Sequence, residues 1–276
     1  MADTCIFDAE RRFGGLERLY GPGAAARLGG AHIVVAGIGG VGSWCAEALA
    51  RCGVGRITLI DLDHVAESNI NRQLHALGST LGQAKVLAMG ARIADINPAC
   101  RWQGVDDFVT PENVREVVPA DADVVIDCTD QAAAKIALIL EARRRNQPLV
   151  VCGGAGGKTR PLALRSGDLS QAQNDALLAK LRNTLRRQHG FPRAADAAGK
   201  VRQRVPRMKL RCLWYDQPAI LPAAWGTAAG ADAAPQGLSC AGYGSVVMVT
   251  ATMGLTAADE AVHRLLYGRW PDEAGR

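Results

Sequence analysis

Three glycines and one carboxylate set the first chemical constraint. Gly37-Ile-Gly39-Gly40-Val-Gly42 follows the β-rich run His32 to Ala36, and Asp61 ends the next apolar run, Arg56 to Ile60. Glycines at this spacing allow a tight turn and let a phosphate approach backbone amides. The helix that opens after them adds the positive end of its dipole, and Asp61 can accept ribose hydroxyls. The pattern points to a nucleotide without choosing between NAD, FAD and ATP. The choice comes from the run Asp61-Leu-Asp63-His-Val-Ala-Glu-Ser-Asn69-Ile-Asn-Arg72-Gln73, followed by Lys85. A dinucleotide needs no cationic cluster beyond its ribose-binding acid, whereas Arg and Lys offset the charge of β- and γ-phosphates. Asp130, off the end of the run Val124 to Ile126, is placed for Mg2+. Any one of these residues alone reads as a solvated charged loop; the whole set in this order argues against that.

The elements that must position these groups alternate. Residues 10–30 predict a helical lead-in broken at Gly21-Pro22-Gly23. Strands are expected at His32 to Ala36, Arg56 to Ile60, Val124 to Ile126 and Pro148 to Val151. Helices are expected from Ser43 to Cys52, Gln83 to Ile96 and Gln131 to Arg145. Continuous apolar strands alternating with helices predict an α/β fold, with a mostly parallel sheet covered on both faces. After about residue 160 the rhythm changes. Pro161 to Leu164 reads as a strand, Asp175 to Gln188 as a basic helix, Ala194 to Lys200 as a mobile loop, and about Ser245 to Leu266 as a closing helix. No internal repeat is found.

Composition narrows the classes further. The 276 residues are 48% hydrophobic and 21% charged, which excludes a disordered chain, a collagen and a disulfide-stapled mini-protein. The eight Cys form no C-x-x-C pair and stand at no zinc-ligand spacing, so no zinc is expected, and buried free thiols in a reducing compartment fit best. The acidic start, Met1-Ala-Asp-Thr4, lacks the shape of a signal peptide, and a cytoplasmic protein is expected. Ala233 to Ala258 carries no charge, but its strongly apolar core is short and glycine-interrupted, so a buried helix is expected over a membrane span. Gly157-Lys158-Thr159 imitates the end of a P-loop. Residue 152, where the first glycine belongs, is Cys, and Pro161 opposes the helix a P-loop requires. The five His show no ligand pairing.

Over roughly residues 10 to 165 the chain resembles the ubiquitin-activating (E1-like) superfamily of ATP-dependent carboxylate adenylators. The residues that carry the likeness are the glycine loop, Asp61-x-Asp63, Ser68-Asn69-x-x-Arg72-Gln73, Lys85 and Cys128-Thr-Asp130. The resemblance implies a Rossmann-like adenylation fold with an antiparallel and helical C-terminal extension. It implies ATP held at Gly37, Gly39, Gly40, Gly42, Asp61, Asp63, Asn69, Arg72, Gln73 and Lys85, with Mg2+ on Asp130. It also implies a homodimer in which an N-terminal Arg of the other subunit reaches the phosphates. Arg12 is the matching position and Arg11 a near alternative. Arg72, Lys85, Asp130 and Arg12 are thus the expected catalytic set.

Two features favour one branch. Bacterial sulfur-carrier activators usually have two C-x-x-C pairs, absent here, and lack a long basic segment. From Lys180 to Arg211 there are eleven Lys or Arg and one acid, Asp196. The pattern Asn69 to His75, the glycine-rich turn near 153, the Asp168-Leu-Ser170 turn and the basic helix resemble the tRNA threonylcarbamoyladenosine dehydratase (cyclic t6A synthase) branch. That branch commonly has an acid where Arg160 stands here. The resemblance implies ATP-dependent cyclisation of N6-threonylcarbamoyladenosine (t6A) in tRNA through a carboxyl-adenylate, and leaves room for a cysteine desulfurase or sulfur-acceptor partner.

Lys180, Arg182, Arg186, Arg187, Arg202 and Arg204 are the expected RNA contacts, continued by Arg207, Lys209 and Arg211. Trp102, Trp214 and Trp225 could stack on a base, with core packing the preferred role. Cys240 has no neighbouring His or cation in sequence to activate it, and packing is preferred over catalysis. Residues 1–165 are expected to form the ATP-binding core, and residues 166–276 the RNA-facing segment and helix that complete the same domain. The rivals are adenylation of a ubiquitin-like sulfur carrier, an NAD-dependent Rossmann oxidoreductase, and an inert scaffold on the same fold.

Overall fold

The structure is a computed structural model and describes residues 7–196, 199–200, 202–221 and 240–273. Two short helices lead in, α1 (Ala9–Tyr20) and α2 (Ala24–Gly30), separated at the glycine-proline break that the sequence predicts. The alternating part follows as β1 (His32–Ala36), α3 (Gly42–Arg51), β2 (Arg56–Ile60), α4 (Lys85–Ile96), β3 (Arg101–Val105), α5 (Val114–Val117), β4 (Val124–Asp127), α6 (Ala132–Arg145) and β5 (Leu149–Cys152). The remainder gives β6 (Leu164–Asp168), α7 (Ala176–Gln188), β7 (Arg211–Tyr215), α8 (Cys240–Tyr243) and α9 (Val247–Tyr267).

Seven strands form one sheet in the order β3-β2-β1-β4-β5-β7-β6. All neighbours are parallel except β6 and β7. The order reverses between β1 and β4, so the loops after these two strands part and leave a crevice at their carboxyl ends. Strand residues alternate between two cores. Ile33 and Val35 face a core with α3, α4 and α9, whereas Val34 and Ala36 face one with α6 and α7. Burial on both faces explains why β1 and β4 read as unbroken apolar runs.

Three sequence expectations change. Pro161 to Leu164 is not a strand: Pro161–Ala163 is a 3-10 turn in which Ala163 N donates to Arg160 O at 3.0 Å, and β6 begins only at Leu164. Pro161 has no amide for a ladder, so pairing starts after it. Strands β3 and β7 were not expected. The first is a half-exposed edge whose sequence, Arg-Trp-Gln-Gly-Val, has no apolar run. The second hides inside the basic segment. Its Arg211 faces the interior, paired with Glu260 at 2.8 Å and Asp272 at 2.5 Å, so it is no RNA-facing residue.

Helix α9 lies against α3 at a distance only glycine permits. A Cβ on Gly254 would stand 2.3 Å from the Val41 carbonyl oxygen and 2.9 Å from the Trp44 Cβ. Among the described residues no helix is long and apolar enough to cross a membrane. Trp102 packs on α4, where a Cβ at Gly90 would strike its ring at 2.4 Å, and Trp214 is buried in β7. Trp225, residues 197 and 198 of the expected loop, and the side chain of Cys240 lie outside the described residues.

Candidate active site

The crevice between the loops after β1 and β4 is a cleft of about 360 Å3. Its floor is the glycine turn. Gly37 has φ +86°, and a Cβ there would come within 2.8 Å of the Cys128 carbonyl. A Cβ on Gly42 would fall 1.8 Å from the Gly37 oxygen. These two glycines are required by the protein's own packing. Gly39 differs: among the described residues nothing lies within 4 Å of its would-be Cβ, so it leaves open space in the cleft it lines. A Cβ at Gly40 would press on Thr250 and Arg72 at 3.0 and 3.3 Å.

Asp61 ties the turn to the next loop. Its two oxygens accept from the amides of Ile38 at 2.6 Å and Asp63 at 2.9 Å. Burial pushes its pKa up, opposed by the nearby Lys85 ammonium and these amides. Each carboxylate oxygen keeps a lone pair for a hydroxyl donor. Lys85, only 5% exposed at the start of α4, places Nζ 2.7 Å from Asp63. Asn69 is buried, and its Oδ1 accepts from Ala66 N at 3.1 Å, which leaves its amide N–H donors for the cleft it lines. Arg72 donates to Ser68 O at 2.6 Å and Asn71 Oδ1 at 3.0 Å. Its backbone oxygen accepts from Trp44 Nε1 at 3.1 Å and Thr250 Oγ1 at 3.3 Å, so α3 and α9 brace the loop that carries it. Gln73 is buried, and its Oε1 has no partner among the described residues.

Across the cleft stands Asp130, exposed, on a turn fixed from below. Asp127 Oδ1 accepts from both Thr129 N, at 3.0 Å, and Thr129 Oγ1, at 2.7 Å. Asp127 is itself paired at 3.1 Å with Lys135, and both side chains are fully buried. A buried pair of this kind costs desolvation, and removing one partner would strand the other charge. Its place directly under the Asp130 turn makes it a support for that turn.

Ten residues that the sequence reading assigns to nucleotide and metal line this one cleft: Gly37, Gly39, Gly40, Asp61, Asp63, Asn69, Arg72, Gln73, Lys85 and Asp130. Gly42 sits just behind, in the turn. Arg12 is elsewhere. Its guanidinium binds the Asp95 and Ile96 carbonyls at 3.0 and 2.7 Å, at the far end of α4 from Lys85. That end is about 17 Å away at 1.5 Å per residue. The six expected RNA contacts divide. Lys180, Arg187, Arg202 and Arg204 are exposed. Arg182 is half-buried and clamps the Ala172 carbonyl at 2.7 Å, and Arg186 is half-buried and donates to Pro192 O at 3.1 Å. Lys158 of the P-loop imitation is buried and donates to the carbonyls of Asn174, at 2.8 Å, and Gln217, far from phosphate duty.

The sequence reading missed part of the lining. Asp107, Phe108 and Val109 enter from the loop after β3, Leu177 from the start of α7, and Thr250 from α9. With β3 unseen, the rule that ligands meet strand carboxyl ends had no strand there to act on. Cys128 also lines the cleft. Cys128 lies 3.8 Å from Cys152 Sγ, and the crowding of buried thiols pushes both well above the ordinary range, so neither is a ready nucleophile.

The ThiF family model matches residues 14–274. The tRNA threonylcarbamoyladenosine dehydratase of Escherichia coli (strain K12) is 43% identical over 266 residues, 95% of this chain and 96% of that protein. The protein of the same description from Haemophilus influenzae is 40% identical over 263 residues, 95% of each chain. A crystal structure of the E. coli tRNA N6-threonylcarbamoyladenosine dehydratase in complex with ATP superposes with a TM-score of 0.80 at 40% identity, covering 98% of this chain and 99% of that one.

Proposed function

This chain belongs to the ThiF family, and from that premise we propose that it is an ATP-dependent tRNA threonylcarbamoyladenosine dehydratase. The single observation that carries the reading is the cleft. It sets a phosphate-binding side (Asn69, Arg72, Lys85) and the exposed Asp130 around a glycine turn whose one open position is Gly39. Relatives that match over nearly their whole length bear the same description.

The chemistry follows from what this geometry can do. Asp61 fixes the ribose, and the amides at the start of α3 meet the phosphates. Lys85 moves from Asp63 toward the triphosphate, a charge of higher density. The threonyl carboxylate of the modified nucleoside, already ionised, attacks the α-phosphorus, a P–O bond forms, and pyrophosphate leaves with the α–β bridging oxygen. The nucleoside's ureido nitrogen then attacks the acyl carbon. The C–O bond to AMP breaks, AMP departs with its electron pair, and the nitrogen gives up a proton. One water's worth of atoms has left the nucleoside. The protein's task is to align two anions and stabilise developing charge, and no enzyme nucleophile is needed. That agrees with the high pKa of Cys128.

Among the described residues no three His, Cys, Asp or Glu side chains group to hold a metal. A single exposed carboxylate is what a magnesium ion shared with phosphates requires, so Asp130 would hold Mg2+, which supplies charge neutralisation at the polyphosphate. Arg12 cannot serve its own cleft from its present position. Its phosphate role belongs to a homodimer, in which the partner copy's N-terminal helix completes the site. The exposed cations of α7 and the following loop support RNA backbone contact, and a tRNA substrate supports a cytoplasmic location.

The test is ATP conversion to AMP and pyrophosphate with and without tRNA carrying t6A, with nucleoside mass spectrometry on the same sample. AMP formation together with the loss of one water from the nucleoside is the expected result. AMP formation with a sulfur-carrier protein and none with tRNA would overturn it.

A further inference from the structure

The described residues enclose a second cavity, of about 460 Å3, at the opposite end of the sheet. Leu149 and Arg211, the first residues of β5 and β7, line it. Helices α6 and α7 connect the two sites. Each begins at the cleft, which Ala134 and Leu177 line. Each ends at the cavity, lined by Arg143 of α6 and by Phe191 and Pro192 just beyond α7. The 13 residues of α7 span about 20 Å. Exposed Lys180 and Arg187 stand along that path.

The cavity lining holds five cations and no carboxylate. Three of the five have local work. Arg211 is paired with Glu260 and Asp272. Arg143 and Arg264 lie in the last turns of α6 and α9, where cations offset the helix dipole. Arg143 also stacks over Phe191, 4.6 Å from the ring centre, and Arg264 closes on the Gly268 carbonyl beside Trp270.

Arg207 and Lys209 have no such work. They are exposed on the loop before β7, at no helix end, and among the described residues neither forms an ion pair. Lys209 adopts φ +58°, a left-handed conformation that non-glycine residues rarely take. The loop is held there on both sides: Met208 N and Leu210 N donate to the two oxygens of Asp168 at 2.9 and 3.2 Å. Asp168 also accepts from Ser170 N at 2.9 Å, so one carboxylate ties β6 to this loop and keeps Lys209 in its left-handed conformation, which presents the side chain.

We propose that this cavity is a second RNA-contact site, in which a backbone phosphate of the substrate tRNA, remote from the nucleotide being modified, sits against Arg207 and Lys209. The inference rests on the reading that tRNA is the substrate. Lys180 and Arg187 carry the strand between the two sites. Because the contact is to phosphate, it fixes where the RNA lies without reading its sequence.

The test is the double variant Arg207→Glu/Lys209→Glu. It is assayed with full-length t6A-bearing tRNA and with a short anticodon hairpin bearing t6A that reaches only the cleft. Expected are a tenfold or greater rise in KM for full-length tRNA, an unchanged KM for ATP and for the hairpin, and an unaltered melting temperature. The slope of log affinity against log salt should fall by about one to two. Equal tRNA KM and salt slope in variant and unaltered protein overturn the proposal. So does a result in which tripolyphosphate binds the unaltered protein and not the variant while the tRNA constants stay the same, since the cavity then takes a small anion. Failure of the unaltered protein to turn over t6A-tRNA is a different result: it overturns the function. The salt slope of tRNA binding still decides the cavity.

Discussion

The two charged regions of this molecule are built in opposite ways. In the cleft, each charged group is positioned before any ligand arrives: Lys85 by Asp63, Arg72 by Ser68 and Asn71, and the Asp130 turn by Asp127 and Lys135. Along α7 and the loop after it, Lys180, Arg187, Arg202 and Arg204 stand in water. The first arrangement spends its ordering cost in folding and suits a transition state that must find its charges already aimed. The second is screened by salt and suits a polyanion that must bind, slide and leave. Damage to the first region should therefore appear in the chemical step, and damage to the second in substrate affinity.

That contrast is sharpest at Arg72 and Asp130. Replacing either by Ala should lower AMP formation by about a hundredfold to a thousandfold, the usual effect of losing one preorganised charge contact, while the melting temperature holds. Near-normal turnover in a folded variant would break the assignment. The glycine turn separates folding from binding within the cleft itself. Gly42→Ala forces a Cβ onto the Gly37 oxygen and should cost roughly 3 kcal/mol of stability, measured by denaturant unfolding. Gly39→Ala has open space and should leave stability nearly untouched while raising the KM for ATP about tenfold or more.

The cleft side also carries a pH liability. His75 is fully buried, and among the described residues neither ring nitrogen has a hydrogen-bond partner. Burial, then Lys85 and Arg92, lower its pKa from 6.5 to about 4. Its folded pKa lies below the unfolded one, so the stability it contributes is complete above pH 6.5 and is lost as pH falls toward 4. The sum is on the order of 3 kcal/mol. Unfolding free energies of His75→Gln between pH 7 and 4 should show a flatter slope than the unaltered protein; parallel slopes would exclude His75 as the source. The smallest effect is expected on the solvated side. Lys180→Glu with Arg187→Glu should weaken tRNA affinity several-fold and flatten its salt dependence, with kcat unchanged. A fall in kcat instead would mean that the two regions are not separate in function.

Much of the nucleotide site was legible because its signals are local. The glycine loop, Asp61, Asn69 to Gln73 and Lys85 lie within fifty residues, each on an element whose apolar pattern is plain. What stayed hidden depends on long-range closure. Thr250 reaches Arg72 from a helix far along the chain, and Asp107 to Val109 enter by way of an edge strand with no apolar signature. Charge density misled at Arg211, since a run of Lys and Arg does not say which of them turns inward to meet Glu260 and Asp272. Strand β7 was missed because its apolar run, Cys212 to Tyr215, is only four residues long and follows the basic segment directly.

The brace from α9 has a consequence for how the molecule is made. Ser245 receives the Asn71 amide at 2.8 Å, Thr250 bonds the Arg72 carbonyl, and Gly254 admits the helix against Val41 and Trp44. Every residue of the nucleotide motif leaves the ribosome well before these do. A nascent chain thus carries the whole signature while the loop that presents Arg72 is braced from α3 alone. The bonds from Ser245 and Thr250 and the seat at Gly254 form among the last events of synthesis, and a fragment cut after the motif would keep the whole signature without them.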